Sequence, residues 1–229
     1  TGVFNFGQDS SFAGNKTSGS ANASDANGIG DFYYTPPTDY LTMCSANLSE
    51  PEIIDASEYF NTSLWTGNGT SQSITGVGFQ SDLVWTKKRS STSAHYLIDS
   101  VRGSDKVLFG NFTDAEVTSS TVISSLDSDG FSIGSDGGVN ASGQTFVGWA
   151  WDAGTAVSGN TTGSGTAKTY SGSVNTESGF SIIKYVGNGT AGHTIPHHLG
   201  KAPTFIIVKE INTANNWRVW GTGVSIAKA

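Results

Sequence analysis

The sequence has 229 residues, of which 36% are hydrophobic, 14% are charged and 30 are glycine. Its 12 basic and 19 acidic residues give a net charge of −7, and no run of lysine or arginine is present, which argues against nucleic acid as a partner. No segment approaches the roughly 18 consecutive apolar residues of a membrane-spanning helix, so membrane insertion is not expected. Cys44 is the single cysteine, which excludes an intrachain disulfide and a metal site built on several thiolates.

Residues 1–50 contain too few apolar residues to form a core alone, and we expect them to pack on something else. The segment VFNFG has the composition of a strand, and a stretch rich in Gly, Asn and Ser follows it. Pro36 and Pro37 then separate two extended pieces, DFYY and YLTMC. The first residue is Thr1, which predicts that this sequence is part of a longer chain. We place a domain boundary near Pro51.

The remainder of the chain is predicted to be all-β. Short apolar runs such as LVWTKK, YLIDSV, KVLFGNF and TFVGWAW are separated by Gly, Asp or Ser, as in many short strands joined by turns. Residues 51–155 form the first predicted β module. Residues 156–173 are a Gly/Ser/Thr-rich, flexible or edge connection, and residues 174–229 form a second, partial β module.

Two segments about 120 residues apart are similar, Phe60 to Lys87 and Phe180 to Lys209. Both contain GNGT after an aromatic residue, and both end in an apolar strand followed by lysine. Such a repeat indicates tandem duplication of one unit, so we expect the two backbones to superimpose. Asn-Gly between apolar runs predicts a hairpin turn in each copy, with positive φ at Gly69 and Gly189.

Two motifs could hold a metal ion, but simpler interpretations are favoured. His193, His197 and His198 are interrupted by proline and have no acidic residue near them before Glu210, which indicates a surface turn; an ion on the symmetry axis of an oligomer is the remaining metal variant. The acidic segment DSDGFSIGSDGG resembles a calcium loop but lacks the glutamate that ends one, so a turn and a strand are expected. No metal or cofactor is therefore predicted.

No catalytic motif is present. The sequence has no G-x-S-x-G elbow, and nothing in the sequence polarises His95, so an enzyme is not predicted. A pair of carboxylates for glycan cleavage depends on tertiary structure and leaves a depolymerase open as an alternative.

The tryptophans are assigned according to their surroundings. Trp85, Trp149 and Trp151 lie in apolar runs and are expected in the core. Trp217 and Trp220 flank Arg218 in a polar stretch, NTANNWRVWGTG. We predict that Trp217, Arg218 and Trp220 form an exposed glycan-binding site.

Several of these runs resemble a module of virion and tail-fibre proteins of tailed bacteriophages, namely HYLIDSVRG, DGFSIGSDGGVNASGQTFVGWAWDAG and YVGNGTAGHTIPHHLGKAPTFIIVK. The N-terminal FNFGQDSSFAGN and GIGDFYYTPPTDYLTMCSANL resemble the closing strands of the concanavalin-like (SPRY-like) lectin domain that often precedes this module. Together the two resemblances cover most of the chain. They imply a structural virion component with adhesion as an associated role, and they transfer no catalytic residues.

Residues and resemblance together predict a non-enzymatic virion protein with tandem β-sandwich-like units after a lectin-like remnant. We expect a tail or head fibre, assembled as a homotrimer with other virion proteins, that displays weak sites for a bacterial surface glycan in many copies. The alternatives are a capsid decoration or filament subunit with a purely structural role, and a glycan depolymerase.

Overall fold

A computed structural model of the chain describes residues 9–12, 14–17, 23–49, 51 and 53–223. The chain divides into two compact units, residues 1–54 and 55–229. In the part of the chain that is described, no helix is long and apolar enough to cross a membrane.

The described residues of the N-terminal unit contain turns and bends but no strand. An isolated antiparallel bridge joins Ala23 to Phe32, and a 3-10 turn spans Ser45–Asn47. The predicted strand at VFNFG lies outside the described residues. Apart from the bridge at Phe32, neither DFYY nor YLTMC forms a strand, because the chain there bends around Pro36 and Pro37.

A buried carboxylate organises this unit. Asp25 accepts hydrogen bonds from the backbone amides of Ile29 and Thr42, at 2.9 and 2.8 Å, and from the side-chain amide of Asn47 at 2.7 Å. Burial by itself raises the pKa of Asp25, but the hydrogen bonds from Thr42, Ile29 and Asn47 outweigh it and lower the pKa. The carboxylate thus replaces the sheet hydrogen bonds that this segment lacks.

The regular secondary structure of the larger unit is almost entirely antiparallel strand, which confirms the predicted all-β class. Its only α-helix among the described residues is a single turn, α1. Its elements in chain order are a 3-10 turn at Ala56–Glu58, β1 Phe60–Thr66, β2 Gln72–Ile74, β3 Leu83–Lys88, β4 His95–Asp99, β5 Gly103–Phe109, β6 Val117–Thr118, β7 Ile123–Asp127, β8 Gly130–Ile133, α1 Gly137–Asn140, β9 Thr145–Trp151, β10 Thr155–Asn160, β11 Thr162–Gly163, β12 Thr169–Asn175, β13 Phe180–Tyr185, β14 His193–Thr194, β15 Phe205–Val208 and β16 Arg218–Gly221.

Two sheets enclose the main core in a sandwich-like arrangement. One sheet has six strands in the order β1-β9-β3-β4-β5-β6, and the other has three in the order β2-β8-β7. Alternate side chains of each strand point inward, so that apolar residues of the two sheets meet. The buried core residues are Trp65, Ile74, Val84, Ile98, Val107, Val122, Ile123, Phe131, Ile133, Val139 and Phe146.

The expectation that Trp85, Trp149 and Trp151 lie in the core is wrong. All three are half-buried on the face of the six-stranded sheet that is turned away from the core, where Trp85 and Trp149 meet edge to face at 5.7 Å. The inner face of β9 carries Phe146 and then two small residues, Gly148 and Ala150. A Cβ atom on Gly148 would lie 2.9 Å from the Phe131 ring. Because β9 is apolar on both faces, its pattern did not show which face points inward.

The segment predicted as a connection between modules is built into strands. β10 and β12, which lie within or overlap residues 156–173, pair with each other, and β12 also pairs with β13 in a three-stranded sheet. β11 pairs with β14. Small polar side chains do not prevent pairing, because backbone groups make the hydrogen bonds of a sheet. β10 is an edge strand of its sheet, and the unit continues through this segment without a boundary.

The GNGT segments bend the chain between sheets and are not hairpin turns, which corrects the prediction. β1 pairs with β9 whereas β2 pairs with β8, and β13 and β14 likewise belong to different sheets. The positive φ is confirmed, with values of 77° at Gly69 and 73° at Gly189. In both copies the asparagine oxygen accepts the amide hydrogen of the threonine two residues later, at 2.8 and 2.9 Å. This Asx turn holds the bend.

Candidate functional site

Each copy of the repeat ends in the first strand of a hairpin, and the structure contains this hairpin twice. β3 pairs with β4 so that Val84 lies opposite Ile98. β15 pairs with β16 so that Ile206 lies opposite Trp220. Adding 122 to the residue numbers of four consecutive pairs in the first hairpin gives the four pairs of the second. The two hairpins therefore have the same register and the same spacing between their strands.

The two hairpins differ in what covers them. In the first, β3 also pairs with β9, and Val84 and Ile98 are 0% exposed beneath the second sheet. In the second, β15 pairs only with β16 among the described residues, and the equivalent Ile206 and Trp220 are 39% and 44% exposed. Core positions of the repeated unit are thus open to solvent in its second copy.

Both faces of the second hairpin are apolar. Side chains alternate along paired strands, so Ile206, Val208 and Trp220 share the face that is equivalent to the core side of the first hairpin. Phe205 and Ile207, with Val219 of β16, share the opposite face, and all of these side chains are exposed. A cluster of exposed apolar side chains of this kind usually marks a surface that binds another protein or a ligand.

The structure brings two of the three predicted site residues together. Arg218 lies opposite Val208, on the face that also carries Trp220, and both Arg218 and Trp220 are exposed. Trp217 lies just before β16 and its indole nitrogen is hydrogen-bonded to the backbone of the first module, whereas Trp220 lies within β16 and is exposed. Trp217 and Trp220 therefore do not form one stacking platform.

Trp217 anchors the hairpin to the first module. Its indole nitrogen donates to the backbone oxygen of Phe112 at 2.9 Å and to that of Phe109 at 3.3 Å. Two backbone hydrogen bonds reinforce this contact, from Glu116 to the oxygen of Ile211 and from Asn215 to the oxygen of Thr113, both at 2.9 Å. The hairpin is thereby held in place although it has few other contacts.

A carboxylate closes the loop between β15 and β16. Glu210 accepts hydrogen bonds from the hydroxyl of Thr213 at 2.6 Å and from the side-chain amide of Asn215 at 2.9 Å. These two hydrogen bonds, and then the neighbouring Lys209, lower the pKa of Glu210, against a smaller opposing effect of burial. The charged form of Glu210 therefore favours the closed loop.

The histidines of the HTIPHHLG segment have separate partners. His193 Nδ1 lies 2.7 Å from the side-chain nitrogen of Asn188, and His198 Nε2 lies 2.8 Å from the hydroxyl of Tyr170. His197 Nδ1 accepts the amide hydrogen of the residue two positions later at 3.2 Å. Over the described residues no three His, Cys, Asp or Glu side chains come together as metal ligands.

The acidic residues of the calcium-like segment are likewise engaged one by one. Asp127 accepts from the hydroxyl of Ser132 at 2.8 Å, and Asp136 accepts from the amide of Gly138 at the start of α1 at 2.7 Å. The pKa of Asp129 is lowered by hydrogen bonds from backbone amides, that of Gly78 first. The segment forms the predicted turn and strand, and each of these carboxylates has its own separate partner.

One pair of acidic side chains does interact at the end of β9. Asp82 is buried and accepts the amide hydrogen of Ala153 at 2.9 Å, and Asp152 accepts from the side-chain amide of Asn175 at 2.7 Å. Burial raises the pKa of Asp82, and the negative charge of Asp152 raises it further, while hydrogen bonds from Ser100 and Ala153 lower it in part. Both carboxylates are engaged in fixing the turn that follows β9.

Sequence reasoning missed that Trp220 occupies a core position of the repeat. The signal lies in the residues after Lys209. Continuing the alignment through the loop without gaps sets WRVWG opposite HYLID, and Trp220 then falls on Ile98. The polar composition of the loop hid this, because it suggested a solvent-exposed turn in which both tryptophans would face a ligand.

No curated protein and no solved structure matches the chain. A family model, described as Domain of unknown function (DUF7483), matches residues 55–229, which is the whole of the larger structural unit. On the strength of that match over three quarters of its length, the chain belongs to the DUF7483 family.

Proposed function

We propose that the chain is a structural component of a bacteriophage virion, within a tail or head fibre. The observation that carries the proposal is the hairpin present twice, covered in one copy and exposing its core positions in the other. Exposed core positions are typical of a subunit that is completed by assembly, since an apolar surface of this kind is buried when partners are present. The resemblance of the repeated runs to tail-fibre modules supports the same role.

Assembly in this proposal involves further copies of the chain, as a homotrimer, and other virion proteins. Fibres are often built from repeated β units, and the larger unit here contains one hairpin in two copies of the same register. The alternative of a capsid decoration or filament subunit uses the same surfaces and differs in where the protein lies on the particle.

The test is to locate the protein on particles. Antibodies raised against residues 55–223 are bound to purified particles of the phage that encodes the chain, and gold-labelled second antibody is imaged by electron microscopy. We expect label along the tail or head fibres. Label spread over the capsid would select the decoration alternative, and intact particles without label, compared with a pre-immune control, would contradict a virion role.

A bacterial surface glycan is a second candidate ligand. The observation that favours it is the exposed indole of Trp220 on the same face as the exposed guanidinium of Arg218. An aromatic ring stacks on a sugar face, and arginine donates to its hydroxyl groups. One such contact is weak, so adhesion requires many copies on one particle.

Adsorption to host cells tests this candidate. The protein is coupled to beads in many copies, and bead binding is compared between the wild type, Trp220→Ala and Arg218→Ala. Val219→Ala is the matched control, because Val219 is exposed on the opposite face of the same strand. We expect reduced binding for the first two variants alone. Equal binding by all four proteins would remove this face from the adhesion site.

A further inference from the structure

The free edge of β15 has a template in the same molecule. In the first hairpin, β9 runs antiparallel along β3, with Ala150 opposite Val84 and Gly148 opposite Thr86. β15 is the equivalent of β3, and no strand lies beside it among the described residues apart from β16. We infer that the edge of β15 is a binding site for an antiparallel strand of the β9 type that a different partner protein supplies. This binding site goes beyond the proposed virion role and does not depend on it.

The register of the first hairpin defines the chemistry of the added strand. Residues opposite Ile206 and Val208 correspond to Ala150 and Gly148 and are small. In the first module these small residues leave room for the large rings of the core, since a Cβ on Gly148 would lie 3.0 Å from the Trp65 ring. In the second hairpin the corresponding positions lie beside Ile206 and Val208, on the face that also carries Trp220, and the matching register assigns small residues to them as well.

Residues of the added strand that point to the other face are large and apolar. They correspond to Trp149 and Trp151, which in the first module lie beside Trp85 and Leu83. Their neighbours on β15 are Ile207 and Phe205, which are exposed and apolar. The occupant is therefore an extended segment in which large apolar residues alternate with Gly or Ala.

β15 lacks the features that keep other strand edges from pairing. Proteins protect such edges with charges, proline, bulges or very short strands. Two other edge strands of this unit follow that rule, because β6 has two residues and β10 contains mainly small and polar side chains. The four residues of β15 are Phe, Ile, Ile and Val, and all four are exposed. Exposed backbone groups on an apolar strand readily accept a further strand.

The hairpin is already held in its binding conformation. Trp217 and the backbone hydrogen bonds of Ile211 and Asn215 attach it to the first module without covering β15. An arriving strand therefore does not have to order the hairpin, which lowers the entropic cost of binding.

The test uses the chain's own β9 sequence as the probe. A synthetic peptide of residues 144–153, QTFVGWAWDA, with two lysines added at each end for solubility, is mixed with the whole chain. Backbone amide hydrogen exchange is followed by mass spectrometry. At a peptide concentration about ten times its Kd, we expect exchange in residues 205–208 to slow about tenfold, because only the peptide-free fraction exchanges.

Two altered peptides distinguish strand pairing from general adhesion of an apolar peptide. In the first, N-methyl groups replace the amide hydrogens of the alternate residues whose backbone N–H groups face β15, and we expect this peptide to lose the slowing because the hydrogen bonds between strands cannot form. In the second, the same number of N-methyl groups lies on the intervening residues, whose N–H groups face away from β15, and we expect this peptide to retain the slowing.

Three results would overturn the inference. One is unchanged exchange in residues 205–208 at saturating peptide. Another is equal slowing by the two N-methylated peptides, or equal slowing in the edge strand Thr155–Asn160. The third is exchange in residues 205–208 that already slows with protein concentration in the absence of peptide, since a second copy of the chain would then occupy the edge.

Discussion

The two GNGT bends share the Asx turn and the positive φ of the second glycine but have different surroundings. A Cβ atom on Gly67 would lie 2.3 Å from the backbone oxygen of Ala141, whereas a Cβ on Gly187 would have nothing within 4 Å. The difference arises because the first bend is held by Asn140, a fully buried residue whose side-chain amide donates to Gly134 at 2.7 Å and to the backbone oxygen of Thr70.

We predict that Gly67→Ala destabilises the protein and that Gly187→Ala does not. The first substitution forces the bend away from its packed neighbour, at a cost of about 1–3 kcal/mol in the free energy of unfolding. The matched second substitution should change it by less than about 0.5 kcal/mol. Urea denaturation of the two variants measures both values, and equal destabilisation would show that the two bends are packed alike.

The pKa of Glu210 reports whether its loop is closed. We expect the NMR titration of its carboxyl group to give a pKa below the ordinary value, and Thr213→Val to raise that pKa, because the hydroxyl of Thr213 is the main cause of the lowering. A lowered pKa means that this carboxylate stabilises the fold at pH values above its unfolded-state pKa. The stabilisation is lost as the pH falls through the folded-state pKa. An ordinary pKa in the wild type would show that the loop is open in solution.

The two hairpins place a buried and an exposed residue at the same position of the same pair of strands. Ile98 and Trp220 occupy the same position, but Ile98 is buried and Trp220 is partly exposed. We predict that Ile98→Ala costs about 2–5 kcal/mol in the free energy of unfolding, as buried aliphatic truncations do. Trp220→Ala should cost less than about 1 kcal/mol despite removing a larger side chain.

Denaturation curves of the two alanine variants check this prediction. A loss of several kcal/mol for Trp220→Ala would mean that Trp220 is part of a core in solution, and would also remove it as a candidate for glycan stacking.

The pattern of short apolar runs was sufficient to predict strands and the all-β class, because period and composition are local properties. It did not predict which face of β9 is inside. Trp149 and Trp151 alternate with Gly148 and Ala150, and a search for large apolar residues selects the wrong face. The packing of Trp65 and Phe131 against Gly148 determines which face of β9 is buried, and this contact joins distant parts of the chain.

The candidate site was likewise only partly predictable from the sequence. Exposure of Arg218 and Trp220 agrees with their prediction as surface residues, but the hydrogen bonds of Trp217 to the first module depend on tertiary structure. The equivalence of Trp220 and Ile98 was present in the alignment of the two copies but was missed, because the alignment was not continued beyond Lys209. Alignment does not show that the second copy is uncovered among the described residues, because that depends on which strands pair with it.

At the scale of the whole molecule, exposed apolar surface predicts association. We expect light scattering of the purified chain to give the mass of a trimer at high concentration, with an interface that buries more than about 1,000 Å² in total. A monomer mass at every concentration would contradict the homotrimer. If the trimer forms and hydrogen exchange in residues 205–208 does not change, the trimer interface uses other surfaces. The edge of β15 then stays free.

Amide hydrogen exchange of the dilute, monomeric chain shows whether the second hairpin is uncovered, because it compares the two copies of one hairpin in one sample. We expect slow exchange in residues 83–99 and about a hundredfold faster exchange in residues 205–221, since the second hairpin has the same register but is not covered by any other described strand. Equal protection of the two hairpins would contradict this expectation.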